Sequence, residues 1–96
     1  MSSLWLSLAS QVPCVACSQI GYESPSVVHH MRFNDLGKRK SDRLVIALCP
    51  EHHVGKYSIH KDRERFERQF GSEVDLHEMT LAGIERLLKQ RGVKVV

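Results

Sequence analysis

Cys49-Pro50-Glu51-His52-His53 sets a thiol and two imidazoles within five residues. Core packing asks for no such density of metal-binding side chains, so the fold must bring partners to this stretch. The partners present are a Cys-x-x-Cys pair (Cys14, Cys17), a His-His pair (His29, His30) and His60. Their interleaving along the chain predicts two separate metal centres, one structural and one left open for chemistry.

Cysteine count supports metal over disulfides. Three cysteines cannot all pair within one chain, and Cys-x-x-Cys with a distant Cys-x-x-His is a zinc spacing. This points to a reducing, cytoplasmic compartment. With 96 residues and 42% hydrophobic content, one domain spanning 1–96 is expected, small enough to profit from a metal staple. The net charge of +3, from 14 Lys+Arg against 11 Asp+Glu, permits a polyanionic partner without requiring one. No run reaches the ~20 apolar residues that cross a bilayer. Met1–Val12 has no basic start of the kind that opens an export signal. A soluble protein with no membrane association is expected.

Leu4, Trp5, Leu8 and Val12 recur at helical spacing before Pro13, with Ser2 or Ser3 as caps. They predict a short N-terminal helix whose apolar stripe lies on the metal core. Cys14-Val15-Ala16-Cys17 reads as a zinc knuckle closed by Gly21; Tyr22-Glu23-Ser24-Pro25 is a loop, where a redox motif would want a helix. Ser26–Arg32 is a β-type run that would set His29 and His30 on opposite faces of a strand. Leu44–Leu48 is a second strand, and the two predict an antiparallel hairpin. Between them the polar segment from Phe33 to Arg43 reads either as a solvated loop or as a phosphate-contacting one, through Arg32, Lys38, Arg39, Lys40 and Arg43.

Gly55 and Ser58 argue against an unbroken helix after His53. Phe66 and Phe70 at i, i+4 mark a helix from Lys61 to Phe70, ended by Gly71. Ser72-Glu73-Val74-Asp75 resembles a capping box and opens a helix to about Arg91, with Leu76, Met79, Ile84, Leu87 and Leu88 as core and His77 at the surface. The fold class is α+β.

Cys14, Cys17, Cys49 and His52 form a closed tetrahedral donor set, hence a structural Zn²⁺ site. His29, His30, His53 and His60 remain. Neutral imidazoles bind divalent transition metals, and an imidazole with a pKa near 6.5 also accepts a proton at neutral pH.

In this order of motifs the chain resembles an HNH (ββα-metal) endonuclease with an embedded zinc site: Cys-x-x-Cys, a His-His strand, an apolar strand ending in Leu48-Cys49-Pro50-Glu51-His52-His53, then a further histidine. It is most similar to the phage and prophage recombination-enhancement nucleases, whose described member is a RecA-dependent DNA nuclease. The likeness spans Trp5 to Gly71. It implies a ββα-metal core flanked by an N-terminal helix and C-terminal helices, DNA as substrate and a RecA filament as partner. It implies His30 as general base, and His29, His53 and His60 as ligands of one divalent ion, Mg²⁺, Mn²⁺, Ni²⁺ or Zn²⁺. Two departures stand out. His53 and His60 are seven apart where many of these enzymes have His-x-x-x-His, with Tyr57 in the nearer position. The middle Asn of the motif, which tethers the loop, has either Asp42 or Asn34 in its place.

The rival reading is a non-catalytic zinc module that binds nucleic acid through the basic loop, with one metal per chain. A redox sensor built on Cys14 and Cys17 would leave the other histidines unexplained.

Overall fold

The computed structural model describes residues 4–31 and 44–92. Arg32, Asn34, Lys38, Arg39, Lys40, Asp42 and Arg43 lie outside the described residues, as do the capping serines Ser2 and Ser3.

The two strand-forming runs pair as expected. Strand β1 (Val27–His30) and strand β2 (Val45–Leu48) are antiparallel, with Val27 opposite Leu48, His29 opposite Ile46 and His30 opposite Val45. All four residues of β2 are buried. A strand so enclosed needs partners for the backbone groups on its second edge as well. The long helix α5 (Glu73–Gln90) supplies them: the Ala47 N–H donates to Thr80 Oγ1 at 3.1 Å, and His77 Nδ1 donates to the Val45 carbonyl at 2.9 Å. His77, expected at the surface, is thus a half-buried edge cap.

The capping box is formed as read. Asp75 N–H donates to Ser72 Oγ at 3.2 Å and Ser72 N–H to Asp75 Oδ2 at 3.1 Å, which fixes the start of α5 at Glu73. Leu76, Thr80, Gly83 and Ile84 form its buried face. Met79 is 39% exposed and flanks that face, so it is not the core residue its spacing suggested.

Helix α1 (Leu4–Gln11) buries Leu8 and Ala9, with Val12 buried just beyond. It packs chiefly on α5 and both strands, where its stripe was expected on the metal core, and Leu4 at its start stays exposed. The crossing of α1 and α5 is close: a Cβ on Gly83 would sit 2.6 Å from Val12 Cγ1. Glycine is what lets the two backbones approach.

Helix α2 (Val15–Gln19) carries the knuckle, and α3 (Pro50–Val54) carries the second half of the central motif. Helix α4 (Arg63–Phe70) is capped by Asp62, buries Phe66 and Phe70, and ends at Gly71, whose φ of 110° lies in the region that favours glycine. Arg63 at the head of α4 pairs with Glu73 in the first turn of α5, locking the two helices together. The architecture is a small α+β fold. Among the described residues no helix is long and apolar enough to cross a membrane.

Candidate metal centres

α2 and α3 meet through their cysteines. Cys14 is the N-cap of α2 and Cys17 lies within it; Cys49 ends β2 and is the N-cap of α3, whose first position is Pro50. Pro at this position loses no helical hydrogen bond and fixes the turn out of the strand. His52 then follows one turn on. Its Nδ1 lies 3.6 Å from Cys14 Sγ, 3.5 Å from Cys17 Sγ and 3.3 Å from Cys49 Sγ, and Cys17 and Cys49 Sγ are 3.8 Å apart.

These edges can be tested against a metal tetrahedron. With metal–sulfur bonds of about 2.3 Å and a metal–nitrogen bond of about 2.0 Å, the S···S edge is about 3.8 Å and the S···N edge about 3.5 Å. The cluster therefore has the donor set and the dimensions of a four-coordinate zinc site. Its cysteines are all buried, and burial pushes the Cys14 thiol up to about 11 in the protein alone. A thiolate held in that setting needs a cation beside it. Phe70 stands edge-on to the His52 ring at 5.0 Å between centroids, and Phe66 lies behind it at 6.2 Å. The apolar face of α4 is the wall of this site.

The second cluster uses the next residue. Consecutive residues of a helix diverge by about 100°, so His53 points to a different site from His52. Cys14, Cys17, Cys49 and His52 make one group, and His29, His53 and His60 make the other, with donor atoms all within 4.8 Å of one another. Nε2 of His53 and Nε2 of His60 are 3.1 Å apart. The His29 ring stands edge to face against those of His53 and His60, which are tilted to each other, with centroids 4.7 to 5.2 Å apart.

His60 reaches this cluster because the chain folds back on α3. Gly55 closes the helix by donating to the Glu51 carbonyl at 2.9 Å, and Ile59 N–H donates to the His52 carbonyl at 3.0 Å. Ile59 is buried and anchors the return. A Cβ on Gly55 would lie 2.3 Å from the Glu51 oxygen, so this closure requires glycine.

His29 is the buried member, 4% exposed, and its Nε2 has no hydrogen-bond partner. Orphaned buried nitrogens are rare and call for an explanation. Burial, with the neighbouring His53, His60, Arg63 and His30 adding to it, holds His29 down at about 3. Burial and His60 lower His53 as well, and burial lowers His52 against the opposing pull of Glu51. All three are thus held in the neutral form, the one that offers a lone pair to a metal. His29, His53 and His60 form a group that could hold a metal ion, with one protein donor fewer than the cysteine site.

His30 lies beside His29 on β1, half-buried, and is close enough for its charge to bear on that neighbour. Arg63 was not among the residues singled out from the sequence. Its charge also acts on His29, while its guanidinium is held by Glu67 and the buried Glu73. Only the spacing Arg63–Glu67 hinted at it, and that spacing is common on solvated helices.

Residues 1–85 match the family described as "Protein of unknown function (DUF968)". No curated protein and no solved structure matches the chain.

Proposed function

We propose that this chain, which belongs to the DUF968 family, is a metal-dependent DNA endonuclease with an HNH-type ββα-metal core. The observation that carries the reading is the convergence of His29, His53 and His60 around a buried, unpartnered His29 Nε2, one residue in sequence from the candidate base His30. In this reading the cysteine cluster with His52 holds a structural Zn²⁺, and β1, β2 and α3 are the ββα unit.

His29, His53 and His60 would hold a single divalent ion, Mg²⁺, Mn²⁺, Ni²⁺ or Zn²⁺. Such an ion, when bound, supplies a Lewis acid that offsets the charge of the scissile phosphate and of the leaving 3′ oxygen. His30 takes a proton from the attacking water as the water oxygen bonds to phosphorus and the P–O3′ bond breaks. The buried neutral His29 fixes the cluster against the sheet, and His60, exposed, borders the solvent side from which a DNA strand would enter. By the same resemblance the reading extends to phage or prophage recombination, with a RecA filament as partner and the cytoplasm as location.

The test is nicking of plasmid DNA by purified protein with each of the four ions, for the native chain and for His30→Ala. Metal-dependent nicking that His30→Ala removes is expected. No cleavage of single- or double-stranded DNA with any ion, or activity that survives His30→Ala, overturns the reading. Metal stoichiometry separates it from a zinc module without catalysis: two sites per chain are expected, and one metal per chain favours the module.

A further inference from the structure

The cations of α4 are of two kinds. Arg63 is paired with Glu67 at 3.2 Å and with Glu73, and Arg68 with Glu64 at 2.8 Å. Arg65, exposed between them, has no carboxylate partner among the described residues. Its guanidinium carbon lies 4.0 Å from the centre of the Tyr57 ring, and Lys56 Nζ approaches the same ring at 5.3 Å. Tyr57 is 47% exposed. An exposed cation–π contact is weak, little reason by itself to gather two like charges on one ring. What the stack does is hold a guanidinium flat and pre-ordered, its N–H donors unclaimed, which suits a planar or tetrahedral oxyanion.

The position of the stack is the second observation. Tyr57 lies in the fold-back that joins His53 to His60, whose Nε2 atoms are 3.1 Å apart. We propose that Lys56, Tyr57 and Arg65 form a phosphate contact for the DNA strand that enters the histidine cluster, with Tyr57 as the platform that positions Arg65. The place of the strand rests on the nuclease reading; the chemistry of the contact rests on the stack. The contact deepens that reading by naming groups, other than the histidines of the cluster, that hold the strand beside the cut.

The experiment is fluorescence anisotropy of labelled single-stranded and duplex oligonucleotides with the full zinc-loaded chain, no second ion added, across a salt series. Arg65→Gln and Tyr57→Leu should each weaken binding about five- to tenfold and lower the slope of log K against log salt by about one phosphate's worth. Tyr57→Phe, which keeps the ring, should bind like the native chain. Arg68→Gln removes the same charge one turn further along and should stay within about twofold. The proposal is overturned if Arg65→Gln binds like the native chain, or if Arg68→Gln loses as much. Nicking is scored separately. Arg65-dependent binding without any nicking sinks the nuclease reading and keeps the contact; nicking with affinity and slope unchanged in Arg65→Gln sinks the contact and keeps the nuclease. A native chain that binds no DNA overturns both.

Discussion

His52 and His53 are neighbours on α3, yet Nδ1 of His52 lies 3.3 Å from Cys49 Sγ while Nε2 of His53 lies 3.1 Å from Nε2 of His60. One short helix therefore serves both clusters, and loss of zinc from the first is expected to disturb the second. Zinc binding is worth on the order of 10–16 kcal/mol in small peptides, against a net stability of about 5–15 kcal/mol for a domain. Cys49→Ser, or removal of zinc by a strong chelator, should unfold the chain and abolish nicking together. Far-UV circular dichroism and plasmid nicking on one sample check this, and an active, folded protein without zinc would refute the coupling.

His30→Ala should lower the nicking rate about 10²–10⁴-fold, the range for loss of a general base. His53→Ala should instead remove the weaker metal site, seen as the loss of one equivalent in a metal titration while the zinc remains. A His30→Ala protein that loses a metal equivalent would reassign His30 as a ligand.

With the histidine cluster free of metal, stability should fall on acidification. His29 sits at about 3 in the folded chain and near 6.5 when unfolded, so between those values the unfolded state binds a proton that the folded state refuses. Its contribution is fully present above about 6.5 and is lost as pH falls toward 3, by up to about 1.4 kcal/mol per pH unit. His53 is lowered in the same sense and steepens the loss. Urea melts at several pH values should show the slope, and His29→Leu should flatten it; an unchanged slope in that variant would count against His29.

Thr80→Val keeps the shape of the side chain and leaves the Ala47 N–H without its acceptor. An unsatisfied buried donor costs about 1–3 kcal/mol, so the unfolding free energy should drop by that amount, read as a lower urea midpoint without a change in m. Thr80→Ser, which keeps the hydroxyl, should recover most of it.

Gly83→Ala adds a Cβ where Val12 Cγ1 is 2.6 Å away, and overpacking of this kind costs about 1–3 kcal/mol. Val12→Ala should relieve the clash, so the double variant should be more stable than additivity allows. Strict additivity would mean that the helices simply move apart.

The residues of the two clusters were legible because few roles other than metal binding gather cysteine and histidine at those spacings. Cys14, Cys17, Cys49 and His52 converge, and so do His29, His53 and His60 despite the long step between the last two. The strands, the capping box and the Phe66–Phe70 face were legible from periodicity and turn chemistry. His77 and Thr80 were not. Each is an ordinary residue for a helix surface, and its task depends on α5 lying along an edge of β2 more than thirty residues away in the chain. Met79 was misplaced for a related reason: with Thr80 turned inward to the strand, the buried face rotates and Met79 moves to its flank. The Arg65–Tyr57 stack gave no signal either, since arginine on a helix and tyrosine in a connection are unremarkable until the backbone doubles back.

The sharing of α3 also bears on how sequences of this kind can change over time. Side chains around the two clusters can be exchanged singly, each at its own cost. Length cannot: one residue inserted between Cys49 and His52 would turn both His52 and His53 by about 100° and carry them about 1.5 Å along the axis. Drift in this segment is therefore confined to substitution, and a relative with an insertion there would have had to abandon both centres at once.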